Sequence, residues 1–91
     1  MAVFLVFRDL PGVTRDQYAA AQQAASDAAQ QANVGGRVVR HLGGFYMPRG
    51  GRVICIFGAD SLVDVTAVNE QAGVPSTEVL EAIELHPRSL T

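Results

Sequence analysis

The chain has 91 residues, of which 48% are hydrophobic and 18% charged, and its formal net charge is −2. A chain of this length forms one domain that buries only about 60 to 65% of its unfolded surface, and its apolar content excludes intrinsic disorder. No apolar run approaches the roughly 20 residues that cross a bilayer, and an acidic chain without lysine has no general attraction to nucleic acid.

The first part of the chain predicts a strand followed by a helix. β-branched and aromatic residues fill the segment AVFLVF, and the turn signal DLPG closes it, so residues 2 to 8 are predicted to form a strand. The segment TRDQ fits a capping box in which Thr14 is the N-cap and Gln17 reaches back to it. Alanine then recurs at three- and four-residue steps after Tyr18, and a pair of glycines beginning at Gly35 ends the helix.

A β-hairpin and a second helix follow. β residues lie on both sides of MPRGG, whose proline and paired glycines suit a hairpin loop, so two strands are predicted between Arg37 and Phe57. The second helix begins after Ser61 or Asp60, presents an apolar face, and ends at Gly73.

The order of these elements predicts the fold. A last strand over about residues 79 to 86 completes the order β-α-β-β-α-β, an α+β ferredoxin-like fold with a four-stranded antiparallel sheet and two helices on one face. One domain then spans residues 1–87, and residues 88–91 form a C-terminal tail. Both faces of the first and third strands are apolar, while the helices can cover only one. We therefore expect a homodimer of the α+β barrel type, in which two sheets pack face to face.

Three segments carry a resemblance to a known family. They are FLVFRDLPGVT, RHLGGFY ahead of RVICIFGAD, and AGVPSTEVLEAIEL, and they extend over nearly the whole chain. Together they resemble a family of short domains of unknown function whose best-described member is a nickel-binding, ferredoxin-like dimer. The resemblance places the family's strand-two histidine at His41 and its third-strand cysteine at Cys55. Members often carry another histidine where this chain has Val68, so nickel binding does not follow from the resemblance alone.

Two histidines and a carboxylate are the candidate metal ligands. A nickel or zinc site needs several ligands that converge at roughly 2.0 to 2.3 Å. Ferredoxin-like strand order places His41 and His86 on opposite edges of the sheet, about 14 Å apart within one chain. The edge strands of two subunits approach each other in a barrel dimer, so His41 of one chain would meet Glu84 and His86 of the other. Alternatively, His41 is a strand residue satisfied by hydrogen bonds, and His86 is an exposed residue near the tail.

Cysteine and arginine supply the remaining candidates. Cys55 lies between two isoleucines of a central strand, where a free cysteine usually behaves as a small buried hydrophobe. A single cysteine and the lack of an export signal favour a reducing, cytoplasmic location. The hairpin concentrates positive charge, which could bind an anionic ligand or simply form a solvated edge; its arginines are Arg37, Arg40, Arg49 and Arg52.

These observations favour a small homodimeric binding protein that takes a transition metal, with nickel as the candidate cofactor, or a small ligand near His41. The alternative is a cofactor-free enzyme of the monooxygenase, isomerase or cyclase type, which would use His41 as acid or base and Tyr46 as an orienting hydroxyl. A third hypothesis is a dimeric interaction module with neither activity. No membrane or nucleic-acid partner is expected.

Overall fold

A computed structural model describes residues 1–85, which form one antiparallel sheet and two helices. The elements in chain order are β1 (Ala2–Asp9), α1 (Arg15–Val34), β2 (Val39–Met47), β3 (Arg52–Ala59), α2 (Leu62–Ala72) and β4 (Glu78–Ala82). The strands lie in the order β2-β3-β1-β4, with every neighbouring pair antiparallel. The predicted ferredoxin-like α+β fold is therefore confirmed. No helix within the described residues is long and apolar enough to cross a membrane.

The predicted caps hold both helices in place. At the start of α1 the Thr14 hydroxyl accepts the Gln17 backbone N–H at 3.1 Å, and the Gln17 side chain accepts the Thr14 N–H at 2.9 Å. At the start of α2 the Ser61 hydroxyl accepts the Asp64 backbone N–H at 3.3 Å, and Gly73 ends the helix in the left-handed conformation at φ 71°. The buried residues of α1 are all alanines, which lets this helix lie close to the sheet.

The last strand is shorter than predicted. The sequence favours a strand to residue 86, whereas β4 ends at Ala82, which pairs with Val3. Among the described strands β4 pairs with β1 alone, and β1 begins at Ala2, one residue before the partner of Ala82. Glu84 consequently lies beyond the strand, while His86 and the predicted tail at 88–91 lie outside the described residues.

The two faces of the sheet differ in burial. The face toward the helices carries the core, in which Phe4, Val6, Cys55 and Phe57 are at most 2% exposed. The opposite face, called the open face below, is apolar, and neither of the two described helices covers it. Its residues by strand alternation and register are Val3, Leu5, Phe7, Leu42, Phe45, Ile54, Ile56 and Leu80.

Candidate functional site

His41 lies on edge strand β2 and points toward helix α1. Its Nδ1 is 2.7 Å from the Ser26 hydroxyl, and its ring centroid is 5.1 Å from that of Phe57. Its Nε2 is buried and has no hydrogen-bond partner among the described residues. The pairing register shifts between His41 and Gly43, where two consecutive glycines, Gly43 and Gly44, interrupt the side chains of β2. The imidazole is thus oriented by a contact at Nδ1, while Nε2 makes no hydrogen bond within the described residues.

A groove between α1 and β2, called the His41 groove below, gives the site a border with solvent. It has a volume of about 360 Å³ and is partly open. One carboxylate, one guanidinium and several amides line it; its polar lining residues include Gln23, Ser26, Asp27, Gln30, Asn33 and Arg40. The groove therefore offers both hydrogen-bond donors and hydrogen-bond acceptors to a small polar molecule or an ion.

The surroundings of His41 keep its ring neutral. Burial is the main cause that lowers the pKa of His41 below the usual 6.5, because desolvation disfavours the imidazolium. The positive charge of Arg8 lowers the pKa further, and a backbone hydrogen bond at Gly43 opposes the shift. Near neutral pH the ring consequently carries one proton and one lone pair. If Nδ1–H donates to Ser26, the lone pair is on Nε2, the nitrogen without a partner.

The two predicted metal ligands within residues 1–85, His41 and Glu84, do not converge within one chain. His41 projects to the helix side of β2, whereas Glu84 follows β4 at the other edge and borders an open-face groove with Val3 and Leu5. Three strand spacings separate the edges, or about 14 Å. Residues 1–85 contain no group of three or more histidine, cysteine or acidic side chains that could hold a metal ion. The described part of one chain therefore does not fit a nickel site by itself.

Sequence reasoning missed Arg8, which the structure places in the core. Arg8 is 2% exposed, and its Nη1 donates to the carbonyls of Val74 at 2.8 Å and Pro75 at 3.2 Å. Its Nη2 is buried and has no hydrogen-bond partner within residues 1–85. The signal was present in β1, because Arg8 follows Phe4 and Val6 at the two-residue step that defines the helix-facing side of the strand.

Cys55 belongs to a partly buried chain of hydrogen bonds that also includes Gln22 and Tyr18. Cys55 is a free, buried thiol, as predicted, and its Sγ donates to the Gln22 side chain at 3.5 Å. The Gln22 amide in turn donates to the Tyr18 hydroxyl at 2.5 Å. A Cβ on Gly44 would collide with the Gln22 amide and the backbone of β3, so the missing side chain lets Gln22 reach the sheet.

The Tyr46 hydroxyl, proposed above to orient a substrate, already has a backbone partner. It donates to the Val13 carbonyl at 2.9 Å, and the ring stacks on Tyr18 with centroids 5.0 Å apart. This arrangement fixes the β1–α1 connection to the sheet.

The arginines of the hairpin region do not gather at one point. Arg37 pairs with Asp64 at 2.6 Å, and Arg52 lies 3.8 Å from Asp9. Arg40 borders the His41 groove. Within the described residues, the two paired arginines have separate acidic neighbours, which favours the solvated-edge interpretation over a shared anion site.

Comparisons with known proteins agree with the fold. A family model described as "Nickel responsive protein SCO4226-like" matches residues 4–82. A solved structure, the crystal structure of SCO4226 from Streptomyces coelicolor A3(2), is similar to this chain with a TM-score of 0.78 and 27% sequence identity. The match covers 93% of this chain and 100% of that one. No curated protein matches.

Proposed function

The chain belongs to the SCO4226-like family of nickel responsive proteins, and on that premise we propose that it is a cytoplasmic homodimer that binds nickel at a site centred on His41. The remaining ligands in this proposal are Glu84 and His86 of the partner subunit. Imidazole and carboxylate are ligand types that suit a divalent nickel ion. The protein would therefore bind nickel only as a dimer.

The unpartnered Nε2 of His41 carries the proposal. A buried ring nitrogen without a hydrogen bond is uncommon, because burial without a partner costs roughly 1 to 3 kcal/mol. Ser26 fixes the ring through Nδ1, as hydrogen-bond partners on the other ring nitrogen do for metal-binding histidines. The lowered pKa of His41 also favours the neutral imidazole, which is the form that binds a metal.

The open face supports the dimer. Several of its large side chains are exposed in the single chain, among them Leu42, Phe45 and Leu80. A contiguous apolar face of this kind favours association in water, and a second copy of the same face is the simplest self-complementary cover. The chain segment after β4 leaves the sheet beside this face, since Ile83 and Glu84 border the open-face groove. In a face-to-face dimer, the proposal requires that segment to pass around the edge of the partner's strand β2, because His41 projects to the helix side of that strand.

A nickel titration of the untagged, metal-free protein tests the site. We expect saturable binding to the wild type, loss of about a hundredfold or more in affinity in His41→Ala, and losses of about tenfold or more in Glu84→Gln and His86→Ala. Glu70→Gln, which removes an exposed carboxylate from α2, is the matched control and should bind like the wild type. Unchanged binding in His41→Ala would show that His41 is not a ligand.

A mixed dimer tests whether the site is shared between chains. His41→Ala and His86→Ala subunits each lack a ligand, yet their heterodimer retains one complete site if the ligands come from different subunits. We expect the mixture to contain sites with wild-type affinity, which bind nickel more tightly than the sites of either variant alone. Without sites of that affinity, and with exchange of subunits verified by mass, all ligands would belong to one chain and the intersubunit proposal would be wrong.

A further inference from the structure

Arg8 is a buried charge whose partners are all neutral. Its guanidinium reaches the Val74 and Pro75 carbonyls, which directly follow the C-terminal end of α2. The helix has no basic residue in its last turn, so Arg8 supplies the positive charge that its dipole favours there. These hydrogen bonds use Nη1 of the guanidinium, whereas Nη2 has no partner within the described residues.

The charge of Arg8 has no anionic counterpart in the described residues. The ion pairs of residues 1–85 join Arg37 to Asp64 and Arg52 to Asp9, and neither includes Arg8. A buried ion without a partner of opposite charge is costly, because it has lost its hydration and no counter-charge replaces it. The positive charge also acts across the core, since it contributes to the lowered pKa of His41.

A second buried polar atom lies beside the same segment. The Asn69 side chain donates to the Ser76 hydroxyl at 2.9 Å, and its Oδ1 is buried without a partner. Arg8 and Asn69 therefore both hold the short segment from Val74 to Ser76, and each leaves one polar atom unused. Turning the Asn69 amide by a half-rotation would let its oxygen accept from Ser76 and make an N–H available instead.

We propose that Arg8 is the centre of an anion site for a small planar oxyanion, a carboxylate or bicarbonate. The two oxygens accept hydrogen bonds from Nη1 and Nη2 in the bidentate geometry that guanidinium favours. The bound anion replaces the Pro75 carbonyl as a partner of Nη1, because that hydrogen bond is the longer of the two at 3.2 Å. The Val74 carbonyl, at 2.8 Å, keeps its hydrogen bond to Nη1. Asn69 supplies the additional donor. This site is separate from the proposed nickel ligands.

Thermal unfolding of the metal-free protein in matched sodium salts tests the site. At equal ionic strength, we expect acetate or bicarbonate to raise the midpoint saturably, while chloride does not; the two arms show which anion class binds better. Arg8→Met should weaken the apparent affinity by about tenfold or more, because the charged bidentate partner is lost. Arg52→Met removes an exposed arginine and should leave the affinity within about twofold of the wild type. Equal behaviour of acetate and chloride, or equal losses in both variants, would overturn the proposal.

A measurement on the wild type keeps the test valid if Arg8→Met does not fold. In protein labelled with ¹⁵N at arginine, the guanidinium Nε–Hε signal of Arg8 should move during acetate titration, with the same saturation as the unfolding midpoint. The Arg52 signal should move little. An Arg8 signal that stays in place while acetate stabilises the protein would locate the anion elsewhere and refute the site.

Discussion

Phe45→Asp is expected to dissociate the proposed dimer. Phe45 is on the open face and is 63% exposed in the single chain. Of an aromatic side-chain surface of about 200 Å², about 130 Å² is therefore available for burial by a partner. At about 25 cal/mol per Å², covering it contributes about 3 kcal/mol per copy. Two copies contribute about 6 kcal/mol, and their loss raises the dimer dissociation constant by about four orders of magnitude. An aspartate at the interface adds the cost of burying its charge.

Sedimentation velocity over a wide concentration range is the assay, with far-UV circular dichroism to verify the fold. Val63→Asp is the matched control, because Val63 is 69% exposed but lies on α2, away from the open face. We expect monomeric Phe45→Asp and dimeric Val63→Asp at micromolar concentration. A wild type that is itself monomeric, or a folded Phe45→Asp variant with an unchanged dissociation constant, would refute the reasoning.

Three further predictions concern the single chain. Gly44→Ala should lower the free energy of unfolding by about 1 to 3 kcal/mol, since its Cβ would lie 2.5 Å from the Ile54 carbonyl oxygen; chemical denaturation measures this, with Gly35→Ala as a nearly neutral control, and equal effects would contradict the packing. The lowered pKa of His41 means that its contribution to stability is complete above about pH 6.5 and is lost as pH falls toward the folded-state pKa. In metal-free protein, His41→Asn should therefore flatten the dependence of the unfolding free energy on pH in this range. An unchanged dependence would show that other groups cause it. Thr14→Ala should cost about 1 kcal/mol of stability because it removes the capping box, and no measurable change would show that the first turn of α1 does not need it.

The sequence was informative wherever local chemistry decides the structure. The capping box at Thr14, the end of α2 at Gly73 and the irregularity at Gly43 were predictable from residue type and spacing, and the structure has all of them. Cys55 was also predictable as a buried residue, because alternation along a central strand fixes its face. The end of β4 was not predictable in this way, since it depends on how far the neighbouring strand extends.

Tertiary contacts decided the parts of the site that the sequence did not reveal. The orientation of His41 follows from its position just before the register shift, and its bond to Ser26 joins residues on different elements. Alternation along β1 indicates the face on which Arg8 lies, although arginine is usually a surface residue. Its partners Val74 and Pro75 lie 66 and 67 positions away in the chain, and no local pattern indicates a contact over that separation.

Native mass spectrometry of the untagged protein, recorded before and after addition of nickel, tests the central claim most directly. We expect a dimer in both samples and, after the addition, an added mass of one nickel ion per subunit. The His41→Ala variant should not show this added mass. A protein that remains monomeric, or a dimer that takes up no nickel, would contradict it.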